Sequence, residues 1–366
     1  MIDHAFGARA PQTLGVEEEL MIVDAETLDQ VAAVDRILAG VAGRDVPGVV
    51  KTELFASVFE LNTHPCETAA EADAALVELR RAAAEAAEGE GLAVAAAGSH
   101  PFARPEAQPV VKEERYVSFV GYAGISARRQ GVQGLHVHVG MPTADDCWRV
   151  LEGMLPWLPA MLALSVNSPW LAGELTGMAS NRAPLLAELP RAAVPPAFGS
   201  YAGWEGWVER LMRLGVTQDY TRIWWDVRPH PRLGTLEVRM PDQPTDVRLS
   251  GAIAALVQAL AYTILRDGTQ TTADADPGRR GDYLQNRWAA ARFGPGAELI
   301  HPDGDRVASA ADVGRDLLDL VAPAAAELGS AELLARIDPA ACEADLQEQA
   351  DSPEDAAADV VARSVA

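Results

Sequence analysis

Residues 13–20 read T-L-G-V-E-E-E-L, and apolar side chains resume at Leu20, Met21, Ile22 and Val23. Pro11 precedes the run and Asp24 follows it, so composition and boundaries predict a β-strand over residues 11–24. Side chains alternate along a strand, which sends Glu17 and Glu19 to one face and Glu18 to the other. Two carboxylates on one face of a buried strand repel each other unless a cation sits between them. The stretch therefore points to a metal site, although an exposed edge strand with solvated acids would read the same way. The rest of the chain decides between the two.

Three further segments carry charged or imidazole pairs on strand-like sequence. Val49–Thr63 is rich in β-branched and aromatic residues and holds Glu53 and Glu60, seven residues apart. An odd spacing puts them on opposite faces of a straight strand, so a shared site requires a bulge or two pieces. Val132–Met141 alternates strictly, with His136 and His138 on one face and Leu135, Val137 and Val139 on the other. The segment G-T-L-E-V-R-M-P-D, residues 234–242, places Glu237 and Arg239 at i, i+2. An antiparallel sheet would present these pairs side by side as a carboxylate-rich pit with imidazoles and a guanidinium. Singly, each has a plainer reading: a core histidine, or a surface cross-strand ion pair.

Such an oxygen-dominated set suits Mg²⁺ or Mn²⁺ better than zinc, since no cysteine joins it and no H-E-x-x-H helix is present. Mg²⁺ held by carboxylates commonly holds nucleotide phosphates too, with arginines neutralising the phosphoryl group. Candidates are Arg222, Arg228, Arg239, Arg287 and Arg292. No P-loop, kinase signature or dinucleotide fingerprint occurs, so an ATP site would be built on the sheet.

Composition sets the outer bounds. A chain of 366 residues with 49% hydrophobic content can bury a large core. The net charge of −23 argues against nucleic acid or an anionic membrane as partner. Three widely spaced cysteines, Cys66, Cys147 and Cys342, form no metal or disulfide pattern and fit reduced thiols in a cytoplasmic protein. The first residues lack the pattern of a signal peptide, and no run of eighteen apolar residues suggests a membrane span. Helices are predicted near 30–43, 68–89, 113–120, 143–165 with a bend at Pro156 and Pro159, 204–214, 246–266 and 283–293, with three more beyond residue 308. Asn167–Pro196 reads as a long irregular loop, Gly268–Asp282 as a polar one, and residues 351–366 as an acidic, poorly ordered tail.

Three stretches together resemble the carboxylate–amine ligase family, the bacterial glutamate–cysteine ligase type 2 group related to glutamine synthetase. They are G-V-E-E-E-L at 15–20, G-L-H-V-H-V-G at 134–140 and I-W-W-D-V-R-P-H-P-R-L-G-T-L-E-V-R-M-P-D at 223–242. The resemblance runs from about Leu14 to Ala297. It implies an α+β, glutamine-synthetase-like fold: a curved antiparallel sheet forming an active-site funnel, helices packed outside, and one catalytic domain over residues 1–350. It also implies ATP- and Mg²⁺-dependent amide formation between a small carboxylic acid, such as an amino acid, and an amine, with a homodimer as the expected assembly. By motif, Glu17, Glu19, Glu53, Glu60, His136 and Glu237 would be metal ligands. His138 would face the nucleotide phosphates and Arg239 the transferring phosphoryl group. Arg182, Arg222 and Arg228 would contact substrate or phosphate, and Glu53 could take the proton of the amine.

The chemistry explains this equipment: a carboxylate must be activated as an acyl phosphate before an amine will attack it. Glutamate and cysteine would be the reactants of the type 2 group. One departure bears on them, because relatives carry Asp before Thr-Gly where S-P-W-L-A-G-E-L-T-G has Leu175. Two other readings fit the residues: a phosphotransferase of the guanidino-kinase type, and a catalytically inert nucleotide-binding regulator.

Overall fold

The computed structural model describes residues 2–268 and 277–365. Its centre is a seven-stranded antiparallel sheet of mixed helix-and-sheet (α+β) architecture. The strands are β1 (Leu14–Asp24), β2 (Gly48–Thr52), β3 (Val58–Thr63), β4 (Leu92–Ala95), β5 (Leu135–Gly140), β6 (Val227–His230) and β7 (Thr235–Val238). They run in the order β6-β7-β5-β1-β3-β2. β5 covers Leu14–Glu18 of β1, and β4 takes over at Met21–Asp24.

The alternation in β1 is the organising feature. Leu14, Val16, Leu20 and Ile22 are buried in the apolar core on one face. Helices Ala69–Glu88 and Val247–Asp267 pack against each other outside the sheet. Thr68 caps the first by accepting from the Glu71 N–H, and Asp246 caps the second by accepting from the Arg248 N–H. The two approach closely at Gly251, where a Cβ would come within 2.0 Å of Asp73 Oδ1.

Glu18 points into this core and is fully buried. Arg80 donates to its two oxygens at 2.7 and 2.5 Å, and Ser250 and Gln243 donate at 2.6 and 2.9 Å. The same guanidinium also donates to the carbonyls of Pro244, Thr245 and Ser364. Buried charge is tolerated here because every partner is supplied.

Most expected elements form, with informative differences. Val49–Thr63 is two strands, and Glu53 lies on the turn between them while Glu60 lies on β3. Trp224–Trp225 forms a short strand paired in parallel with Ala192–Ala193, before β6 begins at Val227. The Pro156 and Pro159 bend is a 3₁₀ turn, Leu155–Trp157, between helices Ala144–Met154 and Leu158–Ser165. The loop after Asn167 contains a short hairpin, Trp170–Leu171 with Glu174–Leu175, and a helix, Arg182–Leu186. The last helix of the 277–293 region starts at Pro277, so the expected polar loop at 268–282 is partly helical; its residues 269–276 lie outside the described residues.

The acidic tail departs from expectation. Pro353–Arg363 is a helix capped by Ser352, with Ala356, Ala357 and Val360 buried. Ser364 accepts from the Ala96 N–H through its hydroxyl and from Arg80 through its carbonyl. Charge composition suggested a solvated segment, but an alanine-valine stripe and two buried hydrogen bonds hold it. Among the described residues one helix, Val247–Asp267, is long and apolar enough to cross a membrane, and 83% of its apolar window is buried inside the protein.

Replacing Arg80 by Met would strand the Glu18 carboxylate in the core. The expected cost is about 3–5 kcal/mol of stability, read as a lowered urea midpoint; an unchanged midpoint would mean that Glu18 has other means of compensation.

Candidate active site

The other face of the sheet gathers the acidic pairs. Register sets Glu17 opposite His136 on β5 and Asn62 on β3, and Glu19 opposite Glu60. Glu237 on β7 lies opposite His138 and Arg228, and Lys51 on β2 opposite Glu60. Directly opposed residues in an antiparallel sheet share a face, so the predicted pit exists.

It has two halves. In the first, ligand atoms of Glu17, His138 and Glu237 lie within 4.8 Å of one another. His138 Nε2 is 3.4 Å from Glu17 and 4.0 Å from Glu237. Its Nδ1 is 2.9 Å from the Thr235 hydroxyl, while the buried Nε2 has no hydrogen-bond partner. That leaves Nε2 aimed between two carboxylates, the geometry of an imidazole oriented by one nitrogen and free to ligate with the other. The histidine of this triad is thus His138, the residue expected to face the nucleotide. His136, expected as the ligand, lies between Glu17 at 3.2 Å and Glu19 at 3.9 Å. Two carboxylates and one imidazole fit a hard divalent cation that keeps further oxygen ligands.

The second half holds Glu19, Glu53 and Glu60. Glu19 accepts from the Gly134 N–H at 2.7 Å, Glu53 is 3.3 Å from the Tyr116 hydroxyl, and Glu60 accepts from Asn62 at 2.8 Å and pairs with Lys51 at 2.9 Å. Lys51 is half-exposed, so this neutralisation leaves Glu60 able to exchange partners.

The two halves differ electrostatically. Burial opposes ionisation of Glu17, but the contact with His136 and the nearby His138 ring hold its carboxyl well below the usual range. Burial likewise opposes Glu237, and the Arg228 and Arg239 charges hold it low. Burial and the charge of Glu53 push Glu19 up to about 7. Burial raises Glu53, and burial with the negative charge of Glu17 raises Glu60 well above a normal carboxylate. Burial and Arg239 push His136 down to about 3, so it is neutral. Burial would lower His138 too, but the neighbouring Glu17 carboxylate outweighs it and raises the ring.

A cleft of about 240 Å³ opens beside Glu19, Glu53, His136 and Arg239. Arg222 lies on its wall, and Arg239 reaches it while pairing with Glu237. A second opening of about 370 Å³ lies beside Glu17, Lys51, Asn62 and His138. The guanidinium of Arg182 fills the space left by Gly134, where a Cβ would come within 2.0 Å of it, and donates to the carbonyls of Arg239 and Met240. It backs the cleft more than it reaches into it.

Three other arginines differ from expectation. Arg228 is buried and gives its donors to Glu237, at 2.6 and 3.2 Å, and to the carbonyls of Thr221 and Ile223. It holds Glu237 in place, with four of its five N–H donors committed within the protein. Arg287 is committed to buried Asp226 and the Ala183 carbonyl, and Arg292 lies over the Phe293 ring at 4.8 Å. Neither lines the cleft. Leu175 is half-exposed on its hairpin and is also absent from the lining. Sequence reasoning missed Thr235, whose hydroxyl sets the His138 ring, and the wall residues Arg115, Tyr116, Phe119 and Trp224. The Thr at i−2 from Glu237 was a readable signal; the wall was not, because Arg115, Tyr116 and Phe119 come from a helix, Glu114–Ala123, and Trp224 from a separate short strand, brought together by tertiary packing.

The sheet, with its acidic face and the arginine above it, belongs to a fold shared with known ligases. Among solved structures the fold matches a glutamate–cysteine ligase from Francisella tularensis in complex with AMP, with TM-score 0.68 at 16% identity, over 98% of this chain and 89% of that one. It also matches a bifunctional glutathione synthetase from Pasteurella multocida, with TM-score 0.67 at 16% identity, over 97% of this chain and 52% of that one. Sequence relatives are nearer. A Rubrobacter xylanophilus protein provisionally named glutamate–cysteine ligase 2-1 is 38% identical over 88% of this chain and 85% of its own length. A provisionally named glutamate–cysteine ligase 2 of Herpetosiphon aurantiacus is 36% identical over 90% of this chain and 85% of its own. The profile of glutamate–cysteine ligase family 2 matches residues 13–348. The chain belongs to that family, a family of ATP-dependent carbon–nitrogen ligases.

The proton-loaded half of the pit makes cation binding pH-dependent. Protons on Glu19, Glu53 and Glu60 compete with a divalent ion, so affinity falls below the Glu19 value of about 7. Mn²⁺ titrated calorimetrically at pH 6 and pH 8 should bind about tenfold or more tightly at pH 8. Equal affinity at both would show that these carboxylates take no part.

Proposed function

We propose that the protein joins a carboxylic acid to an amine using ATP, through an acyl phosphate. The observation that supports this most is the triad of Glu17, His138 and Glu237 with its unpartnered imidazole nitrogen, set beside a second carboxylate group and a cleft carrying Arg239. The AMP in the Francisella ligase crystal supports a nucleotide as reactant. Bound Mg²⁺ or Mn²⁺, held by the triad and by Glu19, Glu53 and Glu60, would supply charge neutralisation between phosphate and carboxylate.

The chain's own groups account for the rest. A carboxylate oxygen attacks the γ-phosphorus, the bond to the β-phosphate oxygen breaks, and ADP leaves. Arg239, at the cleft with its charge only partly spent on Glu237, stabilises the phosphoryl group in flight. The amine nitrogen then attacks the acyl carbon, and the carbon–oxygen bond to phosphate breaks. The excess proton on nitrogen passes to a carboxylate at the cleft floor, for which Glu53 is positioned. Arg228 fixes Glu237 throughout.

The test is incubation with ATP, Mg²⁺, glutamate and cysteine, and then with other acid and amine pairs, followed by mass detection of the amide and of ADP. An amide whose formation requires ATP is the expected result. ADP without amide would favour phosphotransfer to a guanidino or carboxyl group, and tight ATP binding without turnover an inert regulator. Glu19→Gln keeps the acceptor for Gly134 yet should lower kcat by about 100-fold or more; near-normal kcat would remove Glu19 from the chemistry.

A further inference from the structure

The cleft beside Glu19 and Glu53 is two-faced. Its floor is polar, with Glu19, Glu53, His136 and Arg239. Much of its wall is hydrocarbon, from Leu54, Phe119, Val132, Leu186, Leu189 and Trp224, with Arg115, Tyr116 and Arg222 beside them. Phe119 and Trp224 face each other with ring centroids 5.1 Å apart, and Phe119, Leu54, Val132 and Leu189 are nearly buried in the wall. Clefts that bind small molecules commonly combine an apolar wall with a few polar groups that fix orientation.

Arg222 supplies such a group at the rim. Its guanidinium lies over the Phe119 ring at 5.7 Å and donates only at 3.3 Å, to the Arg115 carbonyl and the Ser118 hydroxyl. Among the described residues it has no carboxylate partner, whereas Arg228 and Arg239 are each committed to Glu237. A guanidinium resting on an aromatic face with its fork unfilled is suited to a planar carboxylate.

Resting on the ligase reading above, we infer that the amine substrate is an α-amino acid with a sizeable apolar or aromatic side chain. Its carboxylate meets Arg222, its side chain lies on the Phe119–Trp224 wall, and its amine points to the acidic floor. Cysteine is a poor fit, because a single thiomethyl group leaves most of that wall uncovered. Hydrocarbon walls discriminate by about 10- to 200-fold for each methylene group filled or left empty.

A matrix of acids (glutamate, aspartate, acetate) against amines (cysteine, alanine, leucine, phenylalanine, phenethylamine) tests this, with ATP-dependent amide read by mass. Leucine or phenylalanine should exceed cysteine and alanine in kcat/KM by about tenfold or more. Phenethylamine, lacking the carboxylate, should have a KM at least about tenfold above that of phenylalanine. In Arg222→Gln the KM for phenylalanine should rise to that of phenethylamine, erasing the difference between the two amines. Cysteine or alanine preferred, or Arg222→Gln leaving the phenylalanine advantage intact, overturns the inference and spares the ligase reading. Amide from no pair rejects both.

Discussion

The site depends on one buried ion pair. Glu18 sits between two carboxylates that must face the opposite way, and only a strong fixed partner in the core can hold it there. Arg80 provides that partner, with bidentate geometry and the remaining donors spent on backbone carbonyls. A shift of β1 by one residue would turn Glu17 and Glu19 inward and Glu18 outward. That shift would bring one of the two inward carboxylates to Arg80 but leave the other unpaired in the apolar core where Val16 and Leu20 now sit. The functional face is therefore specified from behind.

From that constraint the division of the pit follows. Glu17 and Glu237 have cationic or imidazole neighbours and stay ionised, whereas burial raises Glu19, Glu53 and Glu60, with carboxylate neighbours adding to it at Glu19 and Glu60. One half stays ionised and the other is charged only when something displaces its protons. Arg228 and Thr235 serve the first half without entering it, one holding a carboxylate and the other an imidazole.

Much of this was legible in the letters. Period-two alternation placed Glu17 with Glu19 and His136 with His138, and the break between Glu53 and Glu60 was required by their odd spacing. Arginines resisted reading. A guanidinium is long and can be claimed by any acid the fold brings near, so Arg228 and Arg287 looked available until Glu237 and Asp226 took them. Register decided which histidine joined the triad, and register depends on which strands are neighbours. The tail misled for a related reason: acidic composition describes its outer side, while its anchoring rests on a few small buried residues and one serine.

That serine has a temporal consequence. The Ser364 carbonyl meets Arg80 across 284 residues of chain, and Arg80 in turn meets Glu18 across 62. Joining ends so distant carries a large loop-closure entropy, which non-local contacts recover only once most of the molecule is assembled. The backing of the acidic strand thus joins parts of the chain that are far apart in sequence, and its Ser364 contact exists only once the C-terminal helix is seated.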